Sequence, residues 1–266
     1  MRNKIISKDD LFSLPKQNDK STILPIRGIL TMNENPFIRT QLVIGEEGLE
    51  KLRNKRVAVF GVGGVGGYVV EALARCGIGE IDIIDNDTVA LSNINRQIVA
   101  THSTIGQYKV DVAEKRIHDI SPETIVHKYT TFYLPEKRNE FDFSKYDYVV
   151  DAIDTVTAKI DMVLYAKQTK TPILSCMGCG NRLDPTQLEI TDIYKTKNDP
   201  LAKVMRHELK KRHINKLKVV CSKELPVKTH HTEEGVHKRS VPGSTAFVPS
   251  VAGLIAASWV VRELIK

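Results

Sequence analysis

The chain has 266 residues, 41% of them hydrophobic and 27% charged, with a formal net charge of +7 and four cysteines. That length and apolar share provide an ample core for one large or two small globular domains. The cationic excess leans towards an anionic partner and is equally compatible with plain solubility, while cysteines outside any paired framework exclude a disulfide scaffold and fit a reducing, cytoplasmic setting.

Residues 1–31 are polar, contain Pro15 and Pro25 and show no apolar periodicity, which predicts a disordered extension without the apolar core of a signal peptide. Met32 is an alternative start. Residues 33–55 follow a helical pattern with Leu42, Val43, Leu49 and Leu52 on one side and breaks at Gly45 and Gly48. Arg39 is placed to reach a phosphate or simply to face solvent.

Residues 56–87 read as strand, glycine turn, helix, strand and acid. Val57 to Phe60 form a short apolar run suited to a parallel strand buried on both faces. Gly61, Gly63, Gly64, Gly66 and Gly67 let backbone amides approach a phosphate at the positive end of the helix that follows. Gly77 and Gly79 close that helix, and Ile81, Ile83 and Ile84 lead to Asp85, where a ribose hydroxyl is held in such units. The unit predicts a nucleotide site; taken alone, it most often means NAD or FAD.

The next segment departs from a dinucleotide site. Asn93 and Arg96 lie one helical turn apart with Gln97 beside them, and Lys109 opens a helix whose apolar face is Val110, Val112, Ala113 and Ile117. Cations just beyond the ribose acid suit a triphosphate; the alternative is that Arg96 and Lys109 are surface charges. Residues 146–154 read as a further buried strand ending in Asp151 and Asp154. Asp154 is placed to hold magnesium between phosphates, to cap the following helix, or both.

Cys176 and Cys179 have CxxC spacing, but Cys76 and Cys221 are lone, so no zinc is expected where a closed site needs four ligands. Ten Lys and Arg residues between Lys195 and Lys223, among them Lys203, Arg206, Lys210, Lys211 and Arg212, face only Asp199 and Glu208. Leu201, Val204, Met205 and Leu209 supply the predicted buried side of that helix, and the outward cations suit RNA phosphates or plain solvent. In the loop over residues 228–243, Lys238 and Arg239 are candidate RNA contacts; His230, His231 and His237 are too interleaved with charges to fix a metal geometry. The apolar stretch 246–261, about 24 Å as a helix, falls short of a ~30 Å hydrocarbon core and contains Pro249, which predicts packing on the sheet or a dimer mate and no membrane.

In order and spacing, GVGGVGG at 61–67, Asp85, SNINRQ at 92–97, GQYK at 106–109 and DAID at 151–154 resemble the ATP-binding core of the ubiquitin-activating-enzyme-like adenylyltransferases. Residues 181–187 and 192–212 narrow the resemblance to the bacterial tRNA threonylcarbamoyladenosine dehydratases. This resemblance implies an α/β, Rossmann-like, doubly wound, mostly parallel sheet with a C-terminal basic and dimerisation extension. The nucleotide domain would span 32–190, with residues 191–266 completing it. The implied ligands and partners are ATP, magnesium, tRNA and a second copy of the chain. By position, Gly61, Gly63, Gly64 and Gly66 would cradle ATP, Asp85 would take its ribose, Asn93, Arg96 and Lys109 its phosphates and Asp154 the magnesium, with Asp87 and Gln97 also in the nucleotide site. Arg39 would reach in from the partner subunit. Some relatives carry a cysteine after the Lys-Arg pair, linked to a sulfur-relay partner; this chain has Ser240. The implied reaction adenylates a threonyl carboxylate and closes a ring with release of AMP, without a protein nucleophile. The alternatives are activation of a ubiquitin-like sulfur carrier and, more remotely, nicotinamide-dependent oxidoreduction.

Overall fold

The computed structural model describes residues 35–228 and 242–266; the expected extension, the three loop histidines, Lys238 and Arg239 lie outside them. The strands are β1 (Arg56–Phe60), β2 (Glu80–Ile84), β3 (Ile125–Tyr129), β4 (Tyr148–Asp151), β5 (Ile173–Cys176), β6 (Leu188–Asp192) and β7 (Lys218–Ser222). The helices are α1 (Ile38–Arg53), α2 (Gly66–Cys76), α3 (Lys109–Ile120), α4 (Val156–Thr169), α5 (Pro200–Lys211) and α6 (Phe247–Leu264). The strands form one sheet in the order β3-β2-β1-β4-β5-β7-β6, parallel throughout except for β6, which runs antiparallel to β7.

Helices cover both faces, which is why the central strands are continuous apolar runs. Val57 and Val59 enter a core shared with α1, α2, α3 and α6, whereas Ala58 and Phe60 enter the opposite one with α4 and the aromatic rings of Tyr133, Phe141 and Phe143. α5 extends this second layer through Met205 and Leu209 against Ile160 and Val163 of α4. Asp82 is the polar exception in β2; it is fully buried, and Arg56 Nε at 2.8 Å and Tyr146 Oη at 3.1 Å satisfy it.

Three expectations need correction. Leu42 and Val43 are exposed, because Gly45 at φ 80° breaks α1 and leaves Gly48, Leu49 and Leu52 as its buried residues. Val204 is likewise exposed; Ala202, Met205 and Leu209 form the buried stripe of α5. The strand expected over 146–154 ends at Asp151, and Thr155, with no side-chain capping bond, precedes α4. Asp154 therefore does not cap that helix.

α6 is long and apolar enough to cross a membrane by length and composition, with mean hydropathy 1.4, yet half of it is buried. It lies on α2 and the sheet, and its Gly253 packs so closely on the Val65 carbonyl oxygen and on Tyr68 that a β-carbon would overlap them.

Candidate active site

The carboxyl ends of β1 to β5 open onto one cleft of about 650 Å³. After β1 the chain turns at Gly61, whose φ of +92° and close approach to the Ala152 carbonyl, 2.8 Å from where a β-carbon would stand, leave room only for glycine. Gly61, Gly63, Gly64 and Val65 line the cleft ahead of the N-terminus of α2. Gly66 does not line it. A β-carbon at Gly66 would overlap the Gly61 carbonyl oxygen, so the close turn itself requires glycine there.

Asp85 follows β2 and accepts hydrogen bonds from Val62 N at 2.7 Å and Asp87 N at 2.8 Å. Burial pushes its carboxyl above the ordinary aspartate range, while Lys109 and the two amides pull it back. Lys109, 5% exposed, stands 2.6 Å from Asp87 Oδ2 and 3.9 Å from Asp85 Oδ1. Its backbone amide also donates to Asp87 O at 3.0 Å, so both ends of the residue are fixed. Asn93 and Arg96 complete this wall, Arg96 Nη1 donating to Ser92 O and to Asn95 Oδ1, each at 2.8 Å. Gln97 lines the wall too, and its buried Oε1 has no partner among the described residues, an acceptor left for a donor on whatever fills the cleft.

Asp154, beyond β4, is exposed to the cleft and takes no hydrogen bond or ion pair among the described residues. That fits a magnesium ion, which uses one or two protein carboxylates and keeps phosphate oxygens and waters for the rest. Beneath it, Asp151 and Lys159, both fully buried, pair at 2.8 Å, and Ser175 Oγ donates to the other carboxylate oxygen. At one end of the cleft stand Thr131, Phe132 and Tyr133, with Tyr133 Oη donating to Asp161 at 2.8 Å. At the other end Cys179 and Gly180 face Pro242, Gly243 and Ser244.

The family model for ThiF matches residues 37–266. The chain belongs to the ThiF family. Among its ThiF-family relatives, a tRNA threonylcarbamoyladenosine dehydratase of Bacillus subtilis is 45% identical over 240 residues, 86% of this chain and 94% of that protein. One of Haemophilus influenzae is 43% identical over 165 residues, and the match spans only 63% of its length. A crystal structure of E. coli tRNA N6-threonylcarbamoyladenosine dehydratase, TcdA, in complex with ATP matches with a TM-score of 0.79 at 34% identity, covering 86% of this chain and 93% of that one.

The remaining candidates lie elsewhere in the ThiF fold. Phe37 packs at Gly77, the far end of α2 from the glycine turn, so Arg39 is outside the cleft of its own chain. Asp199 caps α5 beside Gly178, so the first turn of α5, with Lys203, lies towards the carboxyl edge of the sheet; Lys203 is exposed and does not line the cleft. The C-terminal end of α5 instead leads into the start of β7, so Lys210, Lys211 and Arg212 lie at the amino edge of the sheet. A second cleft of about 850 Å³, lined by Lys167, Lys170, Lys216, Lys218 and Trp259, opens at that same edge. Arg206 turns inward to the Thr196 carbonyl at 3.1 Å. Glu208 takes bonds from Arg212 and Lys211, which hold its carboxyl down to about 2.

Burial pushes the Cys179 and Cys221 thiols up to about 12, and raises Cys176 as well. Thiols raised in this way carry little thiolate at neutral pH, the form in which a cysteine attacks. Iodoacetamide at pH 7 is expected to label Cys179 and Cys221 in the folded protein roughly a thousandfold more slowly than in urea, on thiolate fraction alone; equal rates, read by mass spectrometry, would show an activated cysteine.

Proposed function

We infer that the chain is an ATP-dependent tRNA threonylcarbamoyladenosine dehydratase. The observation that carries this is the single cleft joining a glycine turn, a ribose acid, a buried lysine and an unpartnered aspartate, in a chain 45% identical to a dehydratase of that name. Lys109 and Arg96 just beyond the ribose acid suit a triphosphate, whose charge has to be neutralised along its length.

In this reading ATP lies with its ribose on Asp85 and its phosphates over Gly61 to Val65. An oxygen of the threonyl carboxylate attacks the α-phosphorus and the bond to pyrophosphate breaks, giving an acyl adenylate. An atom of the carbamoyl group then attacks the acyl carbon, the carbon–oxygen bond to AMP breaks and the ring closes, a step that gains mainly from positioning. Arg96 and Lys109 stabilise charge that builds on the phosphates. Asp154 would hold magnesium, which when bound supplies further neutralisation there. Arg39 would serve the cleft of a second copy in a homodimer. The anticodon end of the tRNA approaches the cleft at the N-terminal end of α5, past Lys203. Lys210, Lys211 and Arg212, at the opposite edge of the sheet, would meet a more distant part of the RNA, with Lys238 and Arg239 as further candidate contacts, whereas Arg206 is held by Thr196 and is not one. Residues 191–266 complete the same domain as 32–190, and the setting is the cytoplasm. A sulfur-relay partner, if one docks, does so without a cysteine at position 240.

The test is AMP release from ATP with tRNA carrying the threonylcarbamoyl group and, separately, with tRNA lacking it. Release with the modified tRNA alone supports the reading. AMP with neither RNA overturns it and moves the substrate to a carrier protein. Asp154→Ala is expected to lower AMP release roughly a hundredfold with the melting temperature unchanged, because Asp154 has no partner to lose among the described residues; full activity in magnesium would remove it from the site.

A further inference from the structure

The cleft has an end that the nucleotide leaves unused. Across the sheet, β3-β2-β1-β4-β5 place Tyr133, Asp85, the glycine turn, Asp154 and then Cys179 with Gly180 side by side. With the ribose at β2 and the phosphates over β1, the acyl substrate reaches the α-phosphate from the β5 side. Its walls there are Cys179 and Gly180 against Pro242, Gly243 and Ser244, two stretches that no strand pairing joins.

Asn181 joins them. It adopts the left-handed conformation at φ +56°, which asparagine tolerates better than most residues. Its amide donates to Gly243 O at 2.7 Å, and its side-chain Oδ1 accepts from Gly243 N at 2.7 Å. The backbone carbonyl of Asn181 also accepts from Val227 N at 2.8 Å. A β-carbon on Gly180 would stand 2.8 Å from Pro242, so the two walls already touch. From the other side Asn95 Nδ2 donates to Ser244 O at 2.9 Å, while Asn95 Oδ1 takes Arg96. The wall is thereby tied to a residue of the phosphate end.

We propose that Asn181 is the positioning residue of the acyl-substrate end: by clamping Gly243 it sets the wall against which the threonylcarbamoyl group is held. The inference rests on the dehydratase reading. It makes Asn181 act on binding of the modified tRNA and not on binding of ATP.

Two variants separate the bond from the backbone shape. Asn181→Gly keeps the left-handed conformation and deletes the Oδ1 acceptor, whereas Asn181→Asp keeps the acceptor. Michaelis constants for ATP and for modified tRNA are read from AMP release, with wild type as the control. Asn181→Gly is expected to raise the KM for modified tRNA roughly five- to tenfold, the loss of about one hydrogen bond, with the KM for ATP unchanged and Asn181→Asp near wild type. An unchanged KM for tRNA in Asn181→Gly, or an equal rise for both substrates, overturns the proposal. Failure of wild type to release AMP with modified tRNA would instead overturn the dehydratase reading itself.

Discussion

Lys109→Met is expected to cut AMP formation roughly a thousandfold, the scale of removing a cation from a phosphoryl site, while the chain stays folded. Lys109 is the cation most firmly held at the cleft, 5% exposed and fixed by Asp87 at 2.6 Å. Because Asp87 is 60% exposed, the ion pair is screened on one side, and its loss lowers stability by only about 1 kcal/mol. The pH dependence has a defined sign. Burial raises the Asp85 carboxyl above 3.8, and Lys109 opposes that rise. A carboxylate raised on folding lowers stability as pH climbs from its unfolded value through its folded one. Removing Lys109 deepens that loss, so the melting-temperature gap between wild type and Lys109→Met is widest near pH 7 and narrows towards pH 4. A constant gap, or near-normal AMP release, would show that Lys109 does not serve the site.

The largest loss of stability is expected from Lys159→Met. Lys159 and Asp151 pair at 2.8 Å with neither exposed to solvent. Deleting the cation leaves Asp151 with Ser175 Oγ and a long contact from Ile153 N at 3.4 Å. Breaking a buried pair on one side costs about 3–5 kcal/mol, a fall in melting temperature on the order of 10 °C for a chain of this size. Asp151→Asn combined with Lys159→Met is expected to recover most of it, since both charges then go together. Thermal denaturation of the single and double variants decides the matter; a single variant as stable as wild type would mean that the pair carries no net weight.

Much of the cleft was legible in the sequence because its parts are local. The glycine turn, Asp85 and the start of α3 at Lys109 each announce themselves within one βαβ unit or one helix onset. Gly66 shows the limit of that reading: the motif counts it as a ligand glycine, but the carbonyl of Gly61 claims its space. Residues brought together by closure of the whole sheet were not legible. Asn181 pairs with Gly243 across 62 residues and Ser175 with Asp151 across 24, gaps that no periodicity spans, while Lys159 meets Asp151 only eight residues away but across a strand-to-helix turn. A lysine on the apolar side of α4, next to Ile160 and Val163, was the one local sign of the buried pair. Leu42 and Val43 misled for the opposite reason: their spacing is helical, but the chain bends at Gly45 before the face they share can be buried.

The seat of α6 on Val65 and Tyr68 bears on the order of events at the ribosome. The glycine turn and α2 emerge early, yet the helix packed against the start of α2 comes from residues 247–264. A nascent chain that has made its βαβ unit still leaves Ala74, Leu73 and Val69 without the partner that covers them in the finished core. Because Pro249 of α6 also lines the cleft, the cleft is complete only once residues 247–264 have been made, and until then the face of α2 that α6 covers lacks its partner.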